Sequence, residues 1–266
     1  MEWWIAYLLM GLSVGFFAGM LGIGGGVILV PLMVFAFSAQ DFPADRVLHL
    51  ALGTSLTSIV FTSIASLRAH HAHGAVRWDI VRRAAAGLVI GTLLGTFVAD
   101  RLDSPYLAVF FVAFVYYSAA QLFLDIKPAA SRQLPGSAGM WAAALLIGLI
   151  SSLVGAGGGV VSIPLMTMCN VPMRIAVGTS AALGLPIALA GAGGYGFHGL
   201  GVDRLPQWSV GYVYLPALIG IVVGTFLTVP LGARAAHRLP VRILKRIFAV
   251  VLFALATRML WSLAAA

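Results

Sequence analysis

The sequence predicts an all-α polytopic membrane protein, built as two inverted repeats of about five helices each, with short or broken helices after two Gly-Gly-Gly turns. Three observations predict it. Of 266 residues, 61% are hydrophobic and only 9% are charged, whereas soluble domains carry about a quarter charged residues. Long stretches run without any charge, and the motifs of the first half return in order in the second. The net charge is +8, but the bases sit in short polar gaps. That leaves no water-exposed face on which a nucleic-acid surface could be built. The single cysteine, Cys169, permits no internal disulfide and matches no metal-ligand spacing. It reads as a small hydrophobe in a helix.

Taken in order, the first element is Trp3 to Gln40, 38 residues without Asp, Glu, Lys or Arg. As one helix it would reach about 57 Å, far beyond a hydrocarbon layer of about 30 Å. It must fold back, and Gly22-Ile23-Gly24-Gly25-Gly26 is where it can. Its start offers Glu2, Trp3 and Trp4 instead of a basic leader, so it reads as a first membrane helix anchored at the interface rather than a secretory signal. A second charge-free run, Gln133 to Met173, has 41 residues and breaks at Gly155-Ala156-Gly157-Gly158-Gly159. Short helices, Val27–Phe37 and Val160–Cys169, follow the two breaks. The remaining spans are Val47–Leu67, Arg82–Ala99, Pro105–Leu124, Ile175–Gly194, Trp208–Leu231 and Arg242–Leu263. The total is ten helices.

Residues 15–33 and 148–166 align without gaps at an offset of 133, with nine of 19 positions identical. Three further echoes follow in the same order. Ala51-Leu52-Gly53-Thr54-Ser55 matches Ala176-Val177-Gly178-Thr179-Ser180, and His73-Gly74 matches His198-Gly199. Gly91-x-x-x-Gly95-Thr96-Phe97 matches Gly220-x-x-x-Gly224-Thr225-Phe226. The halves are thus 1–126 and 139–266, joined by a polar linker at 127–138. An odd number of helices per half places the copies upside down relative to each other. Basic clusters at Arg68–Arg83, Lys127–Arg132 and Arg234–Arg246 then all fall on the cytoplasmic side if both termini lie outside. Inverted repeats with broken helices mark secondary transporters.

Consecutive glycines inside a membrane segment leave backbone groups without helical partners. Such backbone survives at membrane depth only where it is buried in protein or lines a polar cavity. Gly24, Gly25 and Gly26, with Gly157, Gly158 and Gly159, are therefore candidate ligands that offer amide donors and helix N-termini to a small anion. Thr54, Ser55, Thr179 and Ser180 lie in the first turns of the next helices. Their hydroxyls can complete an anion's shell or cap neighbouring backbone. His49 stands one turn before Gly53 in an apolar run and is a further candidate. The Gly87-x-x-x-Gly91-x-x-x-Gly95 and Gly220-x-x-x-Gly224 stripes read as helix-packing seams. His70-His71-Ala72-His73, at a helix end beside basic residues, reads as a solvated loop rather than a metal tract. No Asp or Glu falls in the middle of a predicted span, so a buried carboxylate relay is not available.

At the doubled Gly-x-Gly-Gly-Gly-x-x-x-(Val/Ile)-Pro-Leu and Ala-x-Gly-Thr-Ser elements, the chain resembles the sulfite exporter TauE/SafE family, also called the toluene sulfonate uptake permease family. The resemblance covers nearly the whole length. It implies a multi-pass carrier of the bacterial inner membrane for sulfur-containing anions such as sulfite, sulfonates or related sulfoorganic acids. The partners are then a small anion and the lipid bilayer, with no nucleic acid, metal or cofactor; a homodimer is left open. A channel-like facilitator and a non-transporting membrane subunit are the competing readings. An enzyme is not expected, because His49 and Ser55 are six residues apart and project from different faces of one helix.

Overall fold

The computed structural model describes residues 2–21, 25–124, 133–235 and 241–264. They form ten helices and one hairpin: α1 (Glu2–Leu21), α2 (Gly26–Ser38), α3 (Val47–Ala72), α4 (Trp78–Arg101), α5 (Ser104–Leu124), α6 (Ser137–Val154), α7 (Gly159–Met168), α8 (Met173–His198), β1 (Ser209–Val210), β2 (Val213–Tyr214), α9 (Leu215–Ala235) and α10 (Val241–Ala264). Seven of these helices, α3–α6 and α8–α10, are long and apolar enough to cross a membrane. The α2 and α7 helices have only 13 and 10 residues, about 20 and 15 Å of rise. The protein is a multi-pass membrane protein. Gly22, Ile23 and Gly24, part of the linker, and Lys127, Arg132 and Arg238 lie outside the described residues.

The short helices start where the sequence places them, after glycines in a conformation that L side chains resist. Gly25 caps α2 at φ 69° and Gly158 caps α7 at φ 77°. Gly155 closes α6 at φ 63°, with the Ala156 N–H bonded to the Ser151 carbonyl at 3.0 Å. A left-handed residue stops one helix and lets the next restart in a new direction.

Four long pairings organise the bundle: α1 with α9, α4 with α6, α3 with α8, and α5 with α10. Advancing every label by five exchanges the first two pairs and returns the last two to themselves. The seams are lined with glycine. A methyl on Gly91 would overlap the Leu145 carbonyl, and one on Gly11 would overlap the Ile221 carbonyl. The backbones therefore approach as small-residue stripes allow. Within its membrane window α3 is 78% buried and α10 only 28%, so α3 and α8 form the centre and α10 the periphery. Ile90, Leu93 and Leu94 of α4, and Val250 and Phe253 of α10, are exposed apolar side chains suited to lipid.

Several boundaries differ from the sequence expectation. Trp208–Tyr214 is not the start of α9 but a short antiparallel hairpin, pairing Ser209 with Tyr214 and Val210 with Val213. Trp208 and Gly211 adopt positive φ, which no helix contains; the sequence expectation extended the apolar run of α9 back over this segment. The polar ends of α3 and α4, including His70, His71 and Asp79, are helical because hydropathy marks the bilayer-thick part of a helix, not its full length.

Candidate anion site

The two glycine turns meet. A methyl on Gly26 would overlap the carbonyl oxygen of Gly155 and stand 3.0 Å from the Ala156 Cα. The Ser55 hydroxyl donates to that same Gly155 oxygen at 2.8 Å. One turn's helix start, the other turn's backbone and a hydroxyl from α3 thus share a point of contact. Gly25 packs on Val14 and Ala18 of α1, and Gly158 on Ile187 of α8 and Ile147 of α6. Gly24 lies outside the described residues.

The Gly-Thr-Ser elements have matched surroundings. Thr54 accepts the Tyr214 N–H at 3.0 Å, and Thr179 accepts the Arg77 N–H at 3.0 Å. Beside them, Gly53 touches the Tyr212 carbonyl and Gly178 the Ala75 carbonyl. In each case the glycine admits an extended segment that leads into the next helix, and the threonine satisfies that segment's free amide. Both threonines are fully buried. The structure therefore engages Thr54 and Thr179 with backbone, the capping alternative left open by the sequence. Valine at either position is expected to orphan one part-buried N–H at a cost of about 1 kcal/mol. A lower thermal midpoint in detergent, largely restored by serine, would show it.

Ser55 is likewise bonded to backbone, at the Gly155 oxygen; Ser180 behaves differently. Ser180 shares a 2.8 Å hydrogen bond with Ser162 of α7 and also lines a cleft with Gly157, Thr62, Ser63 and Ser66. Ala18 and Gly19 of α1 and Val229 of α9 close its other side. The cleft holds about 20 Å³, room for about one water-sized group. Its polar lining is hydroxyl and glycine backbone, without a carboxylate. Nearby, the buried Ser151 hydroxyl has no partner and would stand 3.3 Å from a methyl on Gly158. Hydroxyls of this kind can donate to an anion, and no carboxylate stands in the lining to repel it.

His49 belongs to another constellation. Its Nε2 lies 2.9 Å from the Ala99 carbonyl at the end of α4, and its ring is 5.2 Å from Tyr212. Arg46 donates to the Tyr212 hydroxyl at 3.0 Å. Burial raises the Tyr212 phenol above its ordinary value, although the Arg46 cation opposes this, so the hydroxyl keeps its proton at neutral pH. Among the described residues no three His, Cys, Asp or Glu side chains converge as a metal site would require. His73 instead closes α3, its Nδ1 2.7 Å from the Ala69 carbonyl.

A family model described as Sulfite exporter TauE/SafE matches residues 7–259. The chain belongs to the TauE/SafE family. Its relatives include a probable membrane transporter protein of Haemophilus influenzae, 36% identical, with 95% of this chain and 96% of the relative aligned. A probable membrane transporter protein of Methanocaldococcus jannaschii is 27% identical over 84% of this chain and 80% of the relative. The probable membrane transporter protein YunE of Bacillus subtilis is 23% identical, covering 97% of both chains. No solved structure matches. This TauE/SafE chain is a membrane transporter by family and by relatives.

Sequence reasoning passed over the α3 hydroxyls that line the TauE/SafE cleft. A signal was present for two of them: Thr62 and Ser66 follow Ser58 and the candidate Ser55 at intervals of three and four, the spacing of a single helix face, whereas Ser63 falls off that series. Ser151, with its unpartnered hydroxyl, was missed as well.

Proposed function

We propose that this protein is a secondary transporter that carries a small sulfur-containing anion, such as sulfite, a sulfonate or a related sulfoorganic acid, by alternating access. It would sit in the bacterial inner membrane with both termini outside. The observation that carries this reading is the cleft at the second glycine turn, where Gly157, Ser180 and the α3 hydroxyls supply neutral donors and no carboxylate competes for the anion. Gly157 and Ser180 line it; Gly158 and Gly159 follow in the same turn, and Gly26 and Ser55 meet that turn at the Gly155 oxygen. The space of about 20 Å³ is too small for a sulfur oxyanion, so entry requires the surrounding helices to part. The exchange of packing partners under a shift of five elements supports two inverted copies that rock against each other.

Full-length protein in liposomes should accumulate radiolabelled sulfite or a small radiolabelled alkyl sulfonate. The Ser63→Ala/Ser180→Ala double variant should lose at least about tenfold in uptake, because about 1.4 kcal/mol of binding is a factor of ten. Unchanged uptake in that variant removes the cleft from the pathway. Absence of uptake of either anion by the parent protein removes the substrate class.

A further inference from the structure

His49 is the one buried histidine among the described residues, 2% exposed. It precedes Ala51-Leu52-Gly53-Thr54-Ser55 by two residues, as Arg174 precedes the matching element of α8. Arg174 is exposed, so the buried imidazole exists in one half only. A carbonyl oxygen can only accept, so the Nε2 facing Ala99 at 2.9 Å carries the proton. Nδ1 is then a bare lone pair, buried and without a partner.

The surrounding groups come from four places. On the α3 side, Arg46 is paired with Asp45 at 3.1 Å. From the hairpin, Tyr212 accepts from Arg46 and hydrogen-bonds Asp100 of α4. From α8, His198 stands 3.6 Å from Asp100. Tyr195, also of α8, lies 6.5 Å ring to ring from Tyr212 and donates to the Ser152 carbonyl at 3.0 Å. Both carboxylates near the imidazole are therefore already committed, Asp45 to Arg46 and Asp100 to Tyr212 and His198.

We propose that His49 is the proton site of a latch that ties α3 to the end of α4 and to the hairpin, closed with Nδ1 bare and released when Nδ1 takes a proton. A proton there creates an N–H that faces no acceptor and a second cation beside Arg46, with no free carboxylate to meet it. Moving α3 away from Ala99 and Tyr212 returns the ring to water and relieves both. The predicted spans hold no mid-membrane Asp or Glu, so this imidazole is a natural place for a proton to act on the central helix. That the released α3 then moves anion rests on the transport reading above; the latch does not.

Hydrogen exchange of the purified full-length protein, measured by mass spectrometry from pH 8 to pH 5 and corrected for intrinsic exchange, tests the latch directly. Peptides covering residues 99–103 and 209–215 should lose about tenfold in protection as the pH falls. His49→Gln keeps a donor for Ala99 but takes no second proton, so its protection should stay flat. Arg46→Gln removes the neighbouring cation and should move the midpoint of the step upward by at least half a pH unit. No step in the parent protein, the same step in His49→Gln, or an unmoved midpoint in Arg46→Gln each overturns the proposal. If His49→Gln does not fold, the Arg46→Gln midpoint decides. Radiolabelled sulfite uptake separates the two readings: a step without uptake sinks the substrate and leaves the latch, and uptake without a step does the reverse.

Discussion

Gly26→Ala is expected to prevent this protein from folding to a stable, monodisperse species. The added methyl would overlap the Gly155 carbonyl oxygen and press on the Ala156 Cα. Both obstacles are backbone, so no rotamer change relieves them. Moving the second glycine turn aside would also break the 2.8 Å bond from Ser55, a fully buried hydroxyl. Overpacking costs about 1–3 kcal/mol and the lost buried hydrogen bond about 1–3 more. Together these take a large part of the roughly 5–15 kcal/mol that holds a domain folded. Gly193→Ala in α8 is the control, since nothing stands within 4 Å of its added methyl. Size-exclusion profiles and thermal midpoints in one detergent should separate the two variants cleanly. A Gly26→Ala protein as stable as the parent would show that the two turns do not touch.

Much of this was legible in the sequence. Charge-free runs of 38 and 41 residues exceed a bilayer crossing, so a fold-back was unavoidable and the glycine clusters marked it. The α2 and α7 helices start at Gly26 and Gly159, one residue from the expected starts. Pairing between distant segments was not legible. Nothing local to Thr54 announces that its hydroxyl meets the Tyr214 amide 160 residues away, because that contact depends on how α3 and the hairpin pack. Trp208–Tyr214 adjoins the apolar run of α9, and its antiparallel pairing and positive-φ residues make it a hairpin.

The expected symmetry of the two turns also needs refinement. At the offset of 133, Ser151, Ser152 and Ser162 of the second half stand against Ala18, Gly19 and Leu29 of the first. The same backbone device is thus dressed with hydroxyls in one copy and with apolar groups in the other. The cleft draws on both copies, with Thr62, Ser63 and Ser66 from the first half and Gly157 and Ser180 from the second, while Ala18 and Gly19 close it. Identity between repeats reveals the scaffold; the hydroxyls around the second turn are a departure from it.

Gly158→Val should abolish transport while leaving a protein that can still be purified, and its contrast with Gly158→Asn gives the reason. Gly158 caps α7 at φ 77°, where an L side chain costs about 1–2 kcal/mol and a β-branched one is a genuine outlier. Its Cβ would meet the tip of Ile187 at 2.7 Å. That tip is the end of a flexible side chain, so the neighbour can yield where the backbone facing Gly26 cannot. The branch would also crowd the unpartnered Ser151 hydroxyl, beside the turn proposed to offer its amides to the anion. Asparagine tolerates the left-handed region, so Gly158→Asn should keep most of the thermal stability. Its bulk still stands next to Ser151, and sulfite uptake should fall at least tenfold. Valine should lower both the thermal midpoint and uptake, the latter by about a hundredfold. If Gly158→Asn transports like the parent, the turn serves only to redirect the chain, and the anion passes elsewhere. If valine and asparagine lose stability equally, the strain argument for Gly158 fails.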